Sequence, residues 1–282
     1  MLNIINTSTN PYFNLALEEY FLKKEQINDD LVIIWQNSPA VIVGKHQNTM
    51  AEVNIDYVQK HGIHVVRRLS GGGAVYHDLG NINFTFIMRN QPSRRNDFSY
   101  FAKSIVDALR VIGINAEFTG RNDITLDGKK FSGNAQYFYK DKVLHHGTIL
   151  FDSDLAVVQE VLTVKNDSYT SKAVKSTPSR VTNIRPYLST PISLETFKHL
   201  LVASIFRTHQ QPYREYRLTA ADLDGINELV EKRYQTWEWN YGASPRYNFR
   251  QDKKFAGGTV SLYLDTKHGC IEQIKIYGDF LS

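Results

Sequence analysis

Apolar positions along the chain switch between a period of two and a period near 3.6, which predicts alternating strands and helices. Asn10 is placed to cap a helix whose first position is Pro11. Phe13, Leu17, Tyr20 and Phe21 follow at helical spacing and predict one buried face. Residues 31–35 and 40–43 are β-rich runs split by Asn37-Ser38-Pro39, a turn signal. Residues 53–61 read as a short helix ended by Gly62. Residues 64–68 form a strand that leads into Gly71-Gly72-Gly73, and strands resume at 74–76 and 81–88. Phe101, Ile105, Val106, Leu109 and Ile112 share one helix face, closed by Gly113.

The alternation continues through the middle of the chain. Residues 123–126 and 130–139 form a hairpin about Asp127-Gly128, a strong turn pair, and 143–151 pairs next. Residues 155–162 are helical. Residues 163–179 show little periodicity and many Ser, Thr and Lys, which predicts a long loop of the functional or disordered kind. Helices follow at 194–208 and 220–234. From Trp237 the character changes. An aromatic segment, Trp237-Glu238-Trp239-Asn240-Tyr241-Gly242, precedes runs at 255–265 and 270–277 that alternate about Lys267-His268-Gly269 as a hairpin. The expected class is α/β (α+β), with mixed sheets and packed helices. One large domain covers 1–236, and 237–282 begins a smaller one.

Composition narrows the function. The 33 Lys+Arg against 29 Asp+Glu leave a net charge of +4, scattered along the chain, which is not the footprint of a nucleic-acid binder. Such a balance suits at most an acidic protein partner met through a local field. One cysteine in 282 residues excludes an intrachain disulfide and a cysteine-rich metal site, and points to a reducing compartment. The first residues, MLNIINTSTN, lack the basic-then-apolar pattern of a signal peptide. No apolar run reaches the roughly 20 residues that span a bilayer.

Four clusters can carry chemistry. Arg67-Arg68-Leu69-Ser70-Gly71-Gly72-Gly73-Ala74-Val75-Tyr76-His77-Asp78 sets three glycines between two strands, where backbone amides can cradle an anion beside a forked arginine charge. The plain alternative is a turn beside a solvated arginine pair. The spacing is neither a phosphate-binding Walker loop nor a dinucleotide fingerprint. In Gly128-Lys129-Lys130-Phe131-Ser132-Gly133-Asn134-Ala135, strand alternation sends the two lysines to opposite faces, with Ser132 on the face of Lys130. A lysine there could neutralise an attacking carboxylate and charge growing on a phosphate; the commoner fate of a lysine is solvation. Gly120-Arg121-Asn122-Asp123 offers a carboxylate for a hard cation such as Mg2+, or is a plain turn. In Leu144-His145-His146-Gly147-Thr148 the histidines face opposite ways, so one lines a pocket or both are structural. His61 and His64 have no ligand partners by spacing.

The ordered segments RRLSGGGAVYHDLGNINFTF, GRNDI, GKKFSGNAQ, HHGTILFDSDL and SRVTNI resemble the lipoate–protein ligases of the long bacterial kind. The resemblance runs from PYFNLALEEY to YGDF, essentially the whole chain. It implies a biotin/lipoate-ligase-like catalytic domain with a small accessory domain. It also implies a reaction in which lipoate and ATP, with Mg2+, give lipoyl-AMP, whose acyl group passes to a lysine of a lipoyl domain. The implied acceptors are acyltransferase subunits of 2-oxoacid dehydrogenases and the glycine-cleavage H protein, in the cytoplasm. Arg68, Gly73, Ala74, Val75 and Tyr76 would contact the nucleotide. Asn122, Asp123 and Arg180 would lie near the phosphates, with Asp123 on Mg2+. Trp35, Ser70, His77 and His146 would line the lipoate pocket. Lys130 would touch both carboxylate and α-phosphate as a stabiliser, since an acyl-lysine amide would be a dead end. The loop before Arg180, with Lys172, Lys175 and Ser176, would close over the adenylate.

One departure is that the accessory domains of the long ligases continue past Gly-Asp-Phe into helices. Here the hairpin of 255–277 is expected to lack its cover and to leave an open edge. The nearest rival is a cysteine-dependent octanoyl- or lipoyl-transferase, which needs no ATP. It requires a pocket cysteine between 133 and 180, and none is there. A biotin ligase would need a Gly-Arg-Gly-type loop, which is missing. A non-catalytic lipoate-binding module would be expected to lose Lys130, which is present.

Overall fold

The computed structural model describes residues 1–91, 97–119, 122–162, 169–171, 180–245, 247–255 and 258–278. Contacts group the chain into two compact units that interleave along the sequence. One comprises Met1–Ala40, His77–Ala156 and Pro178–Val230; the other comprises Val41–Tyr76, Val157–Thr177 and Glu231–Ser282. Compactness thus follows a different partition from a single cut between 236 and 237.

In chain order the elements are β1 (Leu2–Ile5), α1 (Pro11–Lys23), β2 (Leu31–Trp35), β3 (Ala40–Val43), α2 (Thr49–Glu52), α3 (Ile55–Lys60), β4 (His64–Arg67) and β5 (Val75–His77). They continue with β6 (Asn81–Arg89), α4 (Phe98–Val111), β7 (Glu117–Thr119), β8 (Asp123–Leu126), β9 (Lys129–Tyr139), β10 (Lys142–Leu150), α5 (Leu155–Leu162) and β11 (Tyr169–Ser171). The remainder are α6 (Leu194–Thr208), β12 (Glu215–Arg217), α7 (Ala220–Leu229), β13 (Tyr247–Phe255), β14 (Gly258–Lys267) and β15 (Cys270–Gly278). The mixed α/β class is the one expected from the sequence.

The first unit is built on an eight-stranded sheet in the order β12-β1-β2-β6-β10-β9-β8-β7. β1 runs parallel to both β12 and β2, and β6 onward is antiparallel. Phe84, Phe86, Phe101, Ile105, Leu109, Phe131, Phe151, Phe197 and Leu201 belong to one buried apolar cluster, which α4 and α6 close. The Asn10 side chain caps α1 by accepting from the amides of Tyr12 and Phe13, with Pro11 at the first turn. Burial goes further round α1 than one face. Asn14, Leu15, Ala16, Leu17, Glu18 and Glu19 are all buried, while Phe13 and Tyr20 are half-buried. Polar side chains are therefore carried into the interior and must find partners there.

The β8–β9 hairpin turns at Asp127 and Gly128, whose φ values of 48° and 72° are those of a two-residue left-handed turn. Ile124 then pairs with Ser132 but Thr125 with Lys130, so Phe131 is one extra residue on β9. This bulge breaks the alternation that was expected to put Ser132 on the face of Lys130.

The second unit holds a three-stranded sheet, β4-β3-β5, and a four-stranded sheet, β11-β13-β14-β15. Val41, Val43, Val58, Val65, Ala74, Tyr76 and Val161 form its buried cluster. The helix expected over 53–61 is α3, Ile55–Lys60, which Asn54 caps by accepting from the Tyr57 amide; the short helix α2 before it was not expected. β13 was not expected as a strand. Arg250, Gln251, Asp252, Lys253 and Lys254 are all exposed, so no apolar alternation announces it. Ile271, Ile274, Ile276 and Tyr277 on β15 are exposed. Most of the predicted 163–179 loop lies outside the described residues; β11 within it pairs with β13.

One buried knot in the first unit ties α1 to α7. Asp222 accepts from Tyr20 at 2.9 Å, Tyr216 at 2.8 Å, the Thr219 amide at 2.9 Å and the Thr219 hydroxyl at 2.7 Å, and it pairs with Lys24. Burial pushes the Asp222 carboxyl up, but the bonds from Lys24, Thr219 and Tyr216 outweigh it and hold it below the ordinary carboxylate range. Lys24 is likewise raised despite its burial, by Asp222 and the tyrosines. A depressed carboxyl stabilises the fold above its unfolded pKa and a raised ammonium does so below its own. The pair is therefore fully effective between about pH 4 and about pH 10. Asp222→Asn is expected to cost about 3 kcal/mol at neutral pH. It should also flatten the loss of stability on acidification, read as melting temperature from pH 7 to pH 3. An unchanged acid limb would show that the knot does not control it.

Candidate functional site

Sequence-predicted residues of the first unit fall into two groups. In the first, Glu18 on α1 is buried and collects two side chains. Thr85 donates its hydroxyl to Glu18 Oε1, and His146 Nδ1 stands 2.9 Å and 3.1 Å from the two carboxylate oxygens. Trp35 Nε1 donates to Thr85 Oγ1 at 2.9 Å. The Trp35 ring also meets His77 edge-on, with centroids 6.0 Å apart. His77 Nδ1 lies 3.0 Å from Asn37 Nδ2, and Asn14 Nδ2 donates to Asn37 Oδ1 at 2.8 Å. Asn37 thus presents a donor, which leaves the His77 proton on Nε2. Trp35, His77 and His146 are buried and locked by partners that the sequence did not point to as site residues: Glu18, Thr85, Asn37 and Asn14. The available signal was Asn14 and Glu18, four residues apart on one side of a mostly apolar helix.

The second group surrounds Lys130. Its ammonium lies 2.9 Å from Asp123 Oδ1, with the two side chains 28% and 34% exposed. The chain folds back over Gly133, where a Cβ would sit 2.9 Å from Lys130 Cε and 3.0 Å from Nζ. Any side chain at 133 would push the ammonium away. The Lys130 backbone is held on its other side, its amide donating to Arg180 O at 2.8 Å and its carbonyl accepting from Thr182 at 2.9 Å. Arg180 is thereby brought beside Lys130, with its side chain exposed. Asn122 and Asn134 lock together, Asn122 Nδ2 to Asn134 O at 2.7 Å and Asn134 Nδ2 to Asn122 O at 3.0 Å. Gly120 and Arg121 lie outside the described residues, as do Lys172, Lys175 and Ser176.

In the second unit the arginine pair is buried, with Arg67 at 0% and Arg68 at 6% exposure. Arg68 donates to Ser70 Oγ at 3.0 Å, Ile42 O at 3.0 Å, Gly71 O at 2.7 Å and Gly73 O at 2.8 Å. Its fork shapes the glycine loop by gripping that loop's carbonyls. Ala74 and Tyr76 point into the apolar cluster, so what they offer a ligand is backbone; Val75 is half-buried. Arg67 donates to the carbonyls of Gly44 (2.9 Å), Lys45 (3.1 Å), Gln47 (2.8 Å), Trp239 (3.0 Å) and Asn240 (3.2 Å). It also reaches the hydroxyls of Thr49 (2.7 Å) and Ser244 (3.1 Å). Burial lowers its pKa to about 10, so it stays charged at neutral pH.

Among the described residues no group of three His, Cys, Asp or Glu side chains could hold a metal ion. Nor is any described helix long and apolar enough to cross a membrane.

Residues 10–206 match the family model described as Lipoyl protein ligase A/B catalytic domain, and 244–282 match Bacterial lipoate protein ligase C-terminus. The lipoate-protein ligase LplJ of Bacillus subtilis is 45% identical over 284 residues, covering 100% of this chain and 86% of that protein. A bi-partite lipoate protein ligase of Thermoplasma acidophilum, described with its E2 lipoyl domain, superposes with a TM-score of 0.75 at 28% identity, covering 86% of this chain and 96% of that one. Protein Ta0514 of T. acidophilum, solved with bound lipoic acid, gives a TM-score of 0.74 at 28% identity, covering 86% and 98%. A lipoate-protein ligase A bound with ATP gives 0.74 at 29% identity over the same shares, 86% and 98%. The chain belongs to the lipoate–protein ligase family of enzymes.

Arg67→Met keeps much of the volume but leaves several buried carbonyls without donors, each costing about 1–3 kcal/mol. The expected result is a melting temperature lower by roughly 5–10 °C. Arg67→Lys, with three donors, should fall between. A drop under about 2 °C for Arg67→Met would show that the network is not structural.

Proposed function

We propose that this chain activates lipoate with ATP to lipoyl-AMP and pyrophosphate, and then transfers the lipoyl group to a lysine of a lipoyl domain. The observation that carries this reading is Lys130, bent over Gly133, half-exposed, and balanced by the single carboxylate of Asp123. The chemistry asks for such a group. In the first step a lipoate carboxylate oxygen attacks the α-phosphorus, the α–β bridging P–O bond breaks, and pyrophosphate leaves. Two anions must approach each other, and a fixed ammonium lowers that repulsion and meets the charge that grows on the phosphoryl oxygens. In the second step the acceptor amine attacks the acyl carbon, AMP leaves with the bonding pair, and the amine loses a proton. Lys130 remains an unmodified ammonium throughout.

The other residues take supporting roles in this proposal. On the first unit, Trp35 and His77 give apolar and edge contacts to lipoate, with His146 held by Glu18. Asn122, Asp123 and Arg180 serve the phosphates. On the second unit, Ser70 is a lipoate contact. Arg68 acts on the nucleotide by setting the amides and carbonyls of Gly73, Ala74, Val75 and Tyr76. Mg2+ would arrive with the phosphates, which suits a site whose described residues offer one carboxylate, Asp123, and no protein cage; it would neutralise phosphate charge. The acceptors we propose are the acyltransferase subunits of 2-oxoacid dehydrogenases and the glycine-cleavage H protein. The relative described with an E2 lipoyl domain supports the first of these. We take 1–236 as the catalytic module and 237–282 as part of an accessory module. Cys270, the one cysteine, is free and exposed on β15, which suits the reducing cytoplasm and disfavours cysteine-dependent transfer.

The test is lipoate-dependent exchange of pyrophosphate into ATP, followed by modification of an apo lipoyl domain. Both are expected of the native chain. Lys130→Ala should lower exchange about 100-fold or more. Octanoyl-carrier protein without ATP should give no transfer. Lipoate binding without pyrophosphate release would overturn the reading.

A further inference from the structure

His145 is fully buried among aromatic rings. Its ring stacks on Phe101 at 4.2 Å and 12°, and Phe98 meets it edge-on at 5.6 Å. Burial pushes its pKa well below the ordinary histidine value, with His146 adding to the effect, so it is neutral. A neutral imidazole has one donor and one acceptor nitrogen. Gln136 Nε2 faces His145 Nδ1 at 3.2 Å, and His145 Nε2 faces Asn134 Oδ1 at 3.2 Å. The tautomer that satisfies both carries its proton on Nε2. The bonds then run in one direction, from Gln136 to His145 to Asn134 and on to the Asn122 carbonyl.

This chain decides which way the Asn134 amide points. With Oδ1 fixed by His145, Nδ2 is aimed at Asn122 O, which also accepts the Asn134 amide at 3.0 Å. Room for this is made by Gly147, across β10 from Asn134, where a Cβ would lie 2.5 Å from Asn134 Oδ1. Asn122 immediately precedes Asp123, which pairs with Gly133 on β9 and balances Lys130.

We propose that His145 is a positioning residue for the adenylation step, acting through Asn134 to hold Asn122 and Asp123 in place beside Lys130. It touches no reacting atom; its effect passes through two hydrogen bonds. The inference rests on the proposed roles of Asn122 and Asp123 toward the nucleotide.

His145→Phe keeps the ring stack and deletes both hydrogen bonds. It should lower lipoate-dependent pyrophosphate exchange about tenfold or more and raise the KM for ATP. Transfer to a lipoyl domain from chemically made lipoyl-AMP should stay within about twofold, because that step needs no pyrophosphate leaving group. His145→Gln, which can still donate to Asn134, should recover part of the exchange rate. Asn134→Asp, which keeps the acceptor for His145 but loses the donor to Asn122, should reproduce the loss. Hydrogen exchange at the Asn134 amide should accelerate in His145→Phe while amides of α6 keep their rates. Equal loss in both half-reactions, or exchange activity and Asn134 protection both unchanged, would overturn the proposal. If His145→Phe does not fold, the Gln and Asp variants decide it by the same readouts. If the native chain itself shows no exchange activity, the proposed function fails. The amide measurement then still separates a positioning role from none: unchanged protection overturns it and lost protection supports it.

Discussion

A charge buried without an opposite charge has to be held by dipoles, and Arg67 shows how far this shapes the second unit. Its donors are spent on carbonyls and hydroxyls from two stretches of chain, residues 44–49 and residues 239–244. Moving an unpaired cation into protein costs several kcal/mol, and only many well-placed acceptors offset that. Hence both stretches turn their carbonyls inward. The Arg67 backbone joins the same set, with its amide donating to Asn240 Oδ1 at 2.9 Å and its carbonyl accepting from Trp239 at 2.8 Å. The next residue, Arg68, repeats the device on the glycine loop. Two adjacent arginines thus serve different segments, Arg67 the stretches 44–49 and 239–244 and Arg68 the glycine loop, because successive side chains at a strand end point apart. Three glycines alone would leave the loop with many conformations; carbonyl grips at Gly71 and Gly73 select one.

The first unit solves the complementary problem with buried acids, and its two main ion pairs differ in a way that matters. Asp222 is saturated by Lys24, two tyrosines and Thr219, and fully buried, so little is left for another ligand to take. That pair is structural. Among the described residues Asp123 and Lys130 form an ion pair only with each other, and each stays about a third exposed. An exposed pair of this kind contributes about 1 kcal/mol or less to stability. A phosphate or a carboxylate can therefore compete for the lysine at small cost to the fold. Glu18 lies between these extremes. It is buried and fully engaged, but its partners Thr85 and His146 carry the network on to Trp35.

Much of this was legible in the amino-acid sequence where local chemistry decides the outcome. The runs at 31–35, 155–162 and 194–208 are elements with those same bounds, since periodicity and length agree there. Asp127-Gly128 makes the turn it announces. The misses share a different cause. β13 is charged and exposed, so its strand character comes only from the partners it pairs with. The bulge at Phe131 is a property of two strands, and strict alternation in one of them could not reveal it. The roles of Glu18, Thr85 and Asn37 depend on contacts across tens of residues, which single-sequence spacing does not encode. Arg67 and Arg68 read either as a forked charge for an anion or as a solvated pair beside a turn, and neither reading buries them, because exposure is the usual state of arginine. Arg67 is buried by carbonyls supplied far along the chain, at Trp239 and Asn240, and Arg68 by those of Ile42, Gly71 and Gly73.

The arrangement at Lys130 carries this reasoning one step further. A lysine has long rotamer freedom, and fixing its ammonium ordinarily costs about 1.5–2 kcal/mol in side-chain entropy. Here the backbone is pinned on both sides, by Asp123's strand through the bulge and by residues 180–182 through a parallel bridge. The side chain is then folded over Gly133, which only glycine permits at that distance. Most of the ordering is therefore completed in the fold, before any substrate is present. What remains adjustable is the partner of the ammonium, and Asp123 holds that place at 2.9 Å. In the proposed reaction an incoming anion would meet a cation that is already positioned and only loosely neutralised, which is the condition under which electrostatic stabilisation acts without reorganisation.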